Sequence, residues 1–467
     1  MSHYPNPFDF VPFPAAPILR TEEQFDALGE KFSGYLELEI KALTPVHIVG
    51  KVEADPYCSF MYRQDGKPCI PASSIRGCLR AFTEALTASW VSQANPKYEK
   101  EYRSRHVGFH TFEKYKPVRS GRGRTSPAAV NEAFKPGSGD GKLDVASYLF
   151  GVVTENKNMD HDELARKSKV WVEDAYLSSE TVAFREDLWV PDIAGAAFMG
   201  GAKPSASNWW YFLPAEVWGR NLPFGTMAEF VGEHLRGRKF YYHQDPAACV
   251  RMYHPDSNFW TYSVKKPFHP VRLESMLQDT VTQPFRLYLD GVPRPLFLLL
   301  LRVLLLQPGA TMRHKVGYAK AYGYGSIEFA LKSARLRTVS FGIPNALQPW
   351  RIVAGSWSEA ALEKSELTDF IDRNALTWLA RILGWPHADI VFLYPRYKEQ
   401  EFQQVVRYGQ FSQKLTEQGM TARKPMMVTS EEARAIAEAL WDLKRPIDFR
   451  LYQERAEGWN TITQRKP

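Results

Sequence analysis

The chain has 467 residues, of which 44% are hydrophobic and 24% charged, values that exclude a largely disordered chain and a repeat fibre. Lys and Arg outnumber Asp and Glu by 59 to 52, and the resulting net charge of +7 is a mild bias toward polyanions, too small to identify one. The length fits two to four ordinary domains and leaves ample chain for a large core.

Four cysteines, Cys58, Cys69, Cys78 and Cys249, include no C-x-x-C pair, so neither a disulfide framework nor a thiolate zinc site is expected. Free thiols fit a reducing cytosol. The N-terminal residues lack a basic stretch followed by an apolar one, so no signal peptide is expected and the protein reads as cytoplasmic.

Residues 1–34 form a lead-in rich in proline and aromatics. Phe8, Phe10, Val11 and Phe13 make it too apolar for a free tail, so it is expected to pack on a surface. Tyr35–Ile40 alternates apolar and polar residues and predicts a half-buried strand, which continues at Val46–Ile48. Asp65-Gly66-Lys67-Pro68 predicts a turn. After Pro71, the residues Ile75, Cys78, Leu79, Phe82, Leu86 and Trp90 share one face at helical spacing. Ser73 or Ser74 is the expected N-cap, and Arg76 and Arg80 fall together on another face.

Residues 91–142 lose the aliphatics and gain charge. Between Lys97 and Arg124 there are nine basic and three acidic residues, which reads as a long, partly mobile insertion. Globular pattern resumes at Leu143–Gly151, and a strand is expected over 169–177. Residues 182–240 read as irregular structure or hairpins, and Phe285–Leu289 as a strand. Leu296–Leu306 is apolar except for Arg302, but falls well short of the roughly 20 residues of a membrane span. It predicts a buried core helix over Pro295–Leu306, ended by Pro308-Gly309. A Gly-rich loop then leads into a short strand at Ser326–Phe329. From 338 to 467 the pattern is mostly helical, clearest at Glu359–Leu383 and Ser430–Leu443.

Two constellations carry chemistry. In Ile70–Arg80 a helix start offers N–H groups and a positive dipole end to a phosphate, with serine hydroxyls and two arginines beside it. The bland reading is an ordinary cap with two solvated arginines. In Arg313–Ser326, glycines allow close backbone approach, Arg313, Lys315 and Lys320 attract phosphate, and Tyr318, Tyr322 and Tyr324 offer rings to bases. The bland reading is a turn-rich connection. His47, His106, His110, His243 and His314 show no diagnostic pairing for acid–base work. Arg119, Arg122 and Arg124 in the basic insertion are candidate phosphate contacts, with a protein neighbour as the alternative.

Four segments, in this order, resemble the RAMP superfamily of CRISPR-associated proteins: Leu43–Gly50, LTPVHIVG, at the exit of the first strand; Gly66–Arg80, GKPCIPASSIRGCLR; Leu149-Phe150-Gly151 followed by Val172–Ala175; and His314–Phe329, HKVGYAKAYGYGSIEF. The resemblance covers about residues 35–330. Arg236–His243, RGRKFYYH, is similar to a motif of one large RAMP group, and the C-terminal region carries a weaker resemblance to that group.

The resemblance implies an α+β fold, a ferredoxin-like (RRM-like) core over 35–335 with large insertions at about 91–142 and 182–240, preceded by the lead-in 1–34 and followed by a mainly helical region, 338–467. It implies a backbone-type, CRISPR RNA-binding subunit of a type III ribonucleoprotein effector in antiviral defence, working with target RNA and other CRISPR-associated subunits, and no membrane. The matching positions for RNA contact are His47, Ser73, Ser74, Arg76, Arg80, Arg313, His314, Lys315, Gly317, Tyr318, Lys320, Gly323 and Gly325. In several such subunits an aspartate in the loop after the first strand cuts target RNA with a divalent metal. Asp55, near Glu53, occupies that loop and is the candidate, with Mg²⁺ as its cofactor. The alternatives are a non-catalytic structural subunit and a metal-independent, histidine-based endonuclease for repeat RNA.

Overall fold

The computed structural model describes residues 8–52, 57–92, 132–153, 164–184, 188–190, 237–247, 249, 269–306, 312–340, 343–344, 350–352, 367 and 369–385. Its core follows from period-2 and period-3.6 patterns that meet across one sheet. Strand β1 (Lys31–Ala42) buries Leu36, Leu38, Ile40 and Ala42 and turns Tyr35, Glu37, Glu39 and Lys41 to the opposite face. After it come helix α1 (Ala72–Leu86), strands β2 (Val170–Val172) and β3 (Phe285–Pro293), helix α2 (Arg294–Leu305) and strand β4 (Ser326–Ser340). In space the strands run β2–β3–β1–β4, every neighbour antiparallel. Two strand–helix–strand units are thus interleaved in one sheet.

Both helices cover the same face. In α2, Leu296–Leu301, Val303 and Leu304 are all buried, and Pro295 sits in the first turn, where its missing N–H costs nothing. Phe297 packs on Phe32 of β1 with ring centroids 5.0 Å apart. Helix α1 buries Ile75, Leu79, Phe82 and Leu86, as its spacing predicts. Trp90 lies beyond the helix end but is also buried. No helix among the described residues is long and apolar enough to cross a membrane.

Several expectations need correction. β1 ends at Ala42 and does not continue at Val46–Ile48, where Val46 makes an isolated bridge to Met276. The strand expected over 169–177 is two short ones, Val170–Val172 and Ala175–Tyr176. Ser73 and Ser74 do not cap α1: the N-cap is Pro71, and both serines lie inside the first turn. β4 is not short. Buried Ala334 and Leu336 alternate with exposed Arg335 and Arg337, so the strand continues to Ser340. The segment just after 338 is accordingly strand, with Ile343–Pro344 and Trp350–Ile352 pairing back onto β4. Within Glu359–Leu383 the helix α3 (Arg373–Ile382) is present, capped by the Asp372 carboxylate. Ser430–Leu443 lies outside the described residues.

The expected turn is present, with Gly66 N–H donating to the Arg63 carbonyl at 2.9 Å and Arg63 N–H to Lys67 O at 3.0 Å. The lead-in packs as its composition predicts: Phe8–Val11 pairs with Arg238–Tyr241, and Phe8 and Val11 are buried. A smaller sheet places Val49–Val52 beside Tyr57–Phe60, antiparallel, so residues 53–56 with Asp55 connect two paired strands.

Candidate nucleic-acid interface

The helix start and the Gly-rich loop are separated by over two hundred residues, yet they meet in the fold. Cys78 in the second turn of α1 is the join. Its Sγ lies 3.8 Å from His314 Nδ1 and 3.8 Å from the Lys315 carbonyl oxygen. His314–Lys315 is an edge strand on β4, so the packing of α1 against the sheet sets where the loop sits.

The loop is built on glycines that the fold itself requires. Gly317 has φ +84° and a Cβ there would lie 2.3 Å from the His47 carbonyl oxygen. Cβ atoms at Gly323 and Gly325 would lie 2.5 Å from Gln244 O and 2.0 Å from Val316 O. These glycines bring the loop onto the protein's own backbone, not onto a ligand. Tyr318 N–H donates to His47 O at 2.8 Å and locks the turn. Tyr322 and Tyr324 are buried and present no ring to a base. Tyr318 is half-buried, edge-on to the His47 ring.

Gly77 is the opposite case. It lies in the interior of α1, is exposed, and a Cβ there meets nothing within 4 Å among the described residues. Ser73 is exposed one turn earlier and Ser74 is half-exposed.

Most of the expected cations are committed elsewhere. Arg76 donates to the Phe150 carbonyl and lies over the Phe150 ring, and burial lowers its pKa. Arg80 donates to Gly151 O and Glu84 Oε1, each at 2.8 Å. Together the two guanidinium groups satisfy the C-terminal end of the buried helix Val145–Phe150. Arg238, also buried, completes the arrangement by donating to Glu84 Oε2 at 3.2 Å. Arg313 pairs with Glu328 at 3.5 Å. Lys315 is desolvated and held down to about 7, with Nζ donating to Tyr242 O at 2.8 Å. Burial also lowers Lys320, whose Nζ donates to Gly317 O.

His47, His243 and His314 are interior groups. His47 Nδ1 donates to Glu274 O at 2.6 Å, leaving Nε2 to face the Cys58 thiol at 3.4 Å, and burial lowers its pKa. His314 Nε2 donates to Val303 O at 2.8 Å. His243 bridges Ser326 Oγ at 2.7 Å and Arg313 O at 3.0 Å.

The N-terminal end of α1 is also taken. Asp174 accepts the Ala72 N–H at 2.7 Å and holds Arg63 through two bonds of 2.6 and 2.8 Å. A carboxylate of the chain itself stands where a phosphate was expected.

A sequence model of the RAMP superfamily matches residues 39–328 of the chain, more than half of it. The chain belongs to the RAMP superfamily. No curated protein matches it. RAMP proteins are CRISPR-associated RNA binders that work with CRISPR RNA and other CRISPR-associated subunits.

In this RAMP protein, the matched span runs from within β1 to the start of β4 and contains both halves of the interface. Asp55, Glu53, His106, His110, Arg119, Arg122 and Arg124 lie outside the described residues. Among the described residues no group of three or more His, Cys, Asp or Glu is placed to hold a metal. The sequence did not show that Asp174, Arg63, Glu84 and Arg238 fix α1, nor that Gly77 leaves space open. Asp174 and Gly77 lie within segments that carry the family resemblance, so the motif held their signal before the geometry gave them roles.

Proposed function

We propose that the chain is a backbone subunit of a type III CRISPR effector complex that holds guide RNA across the exposed side of the first turns of α1. The RNA backbone passes over Ser73, Ser74 and Gly77, beside the loop at Gly317–Tyr318 and Lys320. Gly77 carries this reading. A glycine inside a helix costs about 0.5–1 kcal/mol relative to alanine. At Gly317 the fold explains the glycine, whereas at Gly77 nothing among the described residues occupies the space. An incoming sugar–phosphate chain can approach there more closely than any Cβ permits, within reach of the serine hydroxyls. Arg76 and Arg80 act in this reading as positioning residues that hold α1 on the helix Val145–Phe150.

Asp55 is the proposed target-cutting residue. It falls in the connection between the paired strands Val49–Val52 and Tyr57–Phe60. With Mg²⁺ bound, a carboxylate there has Lewis-acid help in polarising the reacting oxygens of a phosphodiester.

The test is to isolate the complex with its neighbours and size its RNA. The proposal predicts guide-length RNA in the native complex, reduced in Gly77→Ala and lost from Gly77→Glu. Asp55→Ala is expected to keep the guide and lose target cutting in Mg²⁺. Undiminished cutting at every site removes Asp55 and leaves the RNA-holding role standing.

A further inference from the structure

The face of the sheet turned away from α1 and α2 carries a row of side chains that the proposed interface does not use. Trp171 on β2 is the register partner of Tyr288 on β3, Tyr288 of Tyr35 on β1, and Tyr35 of Arg335 on β4. Three aromatic residues and an arginine therefore stand in a straight line across four strands, about 4.8 Å apart at each step. The Tyr35 and Tyr288 rings are tilted, with centroids 5.9 Å apart. Arg286 lies over the Tyr35 ring at 4.6 Å and Lys167 over Trp171 at 4.9 Å. The row lines a groove of about 620 Å³.

The acids on and beside this face are already engaged. Glu173 accepts the Tyr288 hydroxyl at 2.6 Å and the Arg286 N–H at 3.0 Å. Glu37 accepts from Ser333 at 2.9 Å, Glu39 pairs with Lys332 at 3.2 Å, and Asp290 with Lys167 at 3.8 Å. Arg335 and Arg337 are exposed, and among the described residues no carboxylate is paired with either. The groove thus combines flat, half-exposed rings with uncompensated cations. That is the pairing a single-stranded nucleic acid needs, rings for base stacking and guanidinium groups for phosphate. A duplex hides its base faces and does not fit it.

We propose that this face is a second site for single-stranded RNA, separate from α1 and the Gly-rich loop. Bases stack along Trp171, Tyr288 and Tyr35, and the RNA backbone is held by Arg335 and Arg337. The contact is independent of base sequence, because every base has a π-face.

The test uses the full chain and a 4-thiouridine-labelled oligouridylate. After irradiation, crosslinked peptides are mapped, and affinity is measured over a salt series. Crosslinks on peptides containing Trp171, Tyr288 or Tyr35, persisting in Gly77→Glu, support the site. The double substitution Arg335→Glu/Arg337→Glu lies on exposed positions and is expected to fold. It should weaken binding at this face about tenfold or more and flatten its salt dependence. Trp171→Ala should weaken binding without changing the salt slope. Crosslinks confined to α1 and the Gly-rich loop overturn the proposal, as does an unchanged affinity and salt slope in the double variant. Retained RNA binding with loss of a neighbouring subunit also overturns it, assigning the face to protein contact.

Discussion

Cys78 Sγ faces His314 Nδ1 at 3.8 Å, and this contact joins the first helix of the core to its Gly-rich loop. The imidazole donates from Nε2 to Val303 O and is edge-on to both Phe82 and Phe329. A neutral ring with its one proton on Nε2 satisfies every neighbour. Protonation would place a charge in the core beside a thiol and two aromatic rings.

The first prediction follows from that ring. Burial pushes His314 down to about 4, whereas an unfolded histidine titrates near 6.5. Between those values the unfolded chain binds the extra proton, so stability rises with pH. The contribution is complete above about 6.5 and falls on the order of 3 kcal/mol as pH drops to 4. His47, lowered by the same cause, adds to the slope. Urea unfolding across this range should show the loss, and His314→Gln should show a shallower slope. An unchanged slope in the variant contradicts the assignment.

Two glycines of the same interface should respond in opposite ways. Gly317→Ala forces a side chain into φ +84° and onto the His47 carbonyl, so it should destabilise by about 1–3 kcal/mol or more. Gly77→Ala adds a methyl group to open space on a helix and should stabilise by about 0.5–1 kcal/mol. Denaturant midpoints of the two variants decide this.

Glu84 is buried between Arg80 and Arg238. Its removal leaves two desolvated guanidinium groups without their shared acceptor, so Glu84→Ala should cost about 3–5 kcal/mol. Raising the salt concentration should recover little of it, because buried pairs are poorly screened. A loss under 1 kcal/mol is incompatible with this network.

Asp174 caps α1 from a distant part of the chain. Asp174→Ala should cost about 0.5–2 kcal/mol, the usual value of a lost helix cap, with the loss of Arg63 pairing added. The Arg63 guanidinium holds the Asp174 carboxyl below its ordinary value, so its contribution is present above the unfolded pKa near 3.9 and disappears as pH falls through the folded value. Wild type and variant should therefore converge in stability in acid.

Periodicity was enough to read β1, β3, α1 and α2, because each buries one regularly spaced set of apolar residues. It misplaced the end of β4, where Arg335 and Arg337 on the open face disguise the alternation with Ala334 and Leu336. The partners of the interface residues were out of reach for another reason. Arg76 and Arg80 bond carbonyls some seventy residues away, and backbone carbonyls leave no mark in a sequence. Ser73 looked like a cap because the competing carboxylate, Asp174, is about one hundred residues downstream. Gly77 and Gly317 are the same letter for opposite reasons, one leaving space open and the other closing it. The aromatic row was visible in part, since the alternation at Tyr35–Ile40 already puts Tyr35 on the non-core face. Its alignment with Tyr288, Trp171 and Arg335 required the register.

The most direct measurement is the guide-RNA content of the isolated complex carrying Gly77→Ala or Gly77→Glu, with the folded state of each checked by its unfolding midpoint. RNA passing over α1 predicts that both variants fold, that the alanine form holds less RNA than the wild type because its Cβ enters the path, and that the glutamate form loses most of it to like-charge repulsion. Full RNA occupancy in a well-folded Gly77→Glu complex would contradict that path.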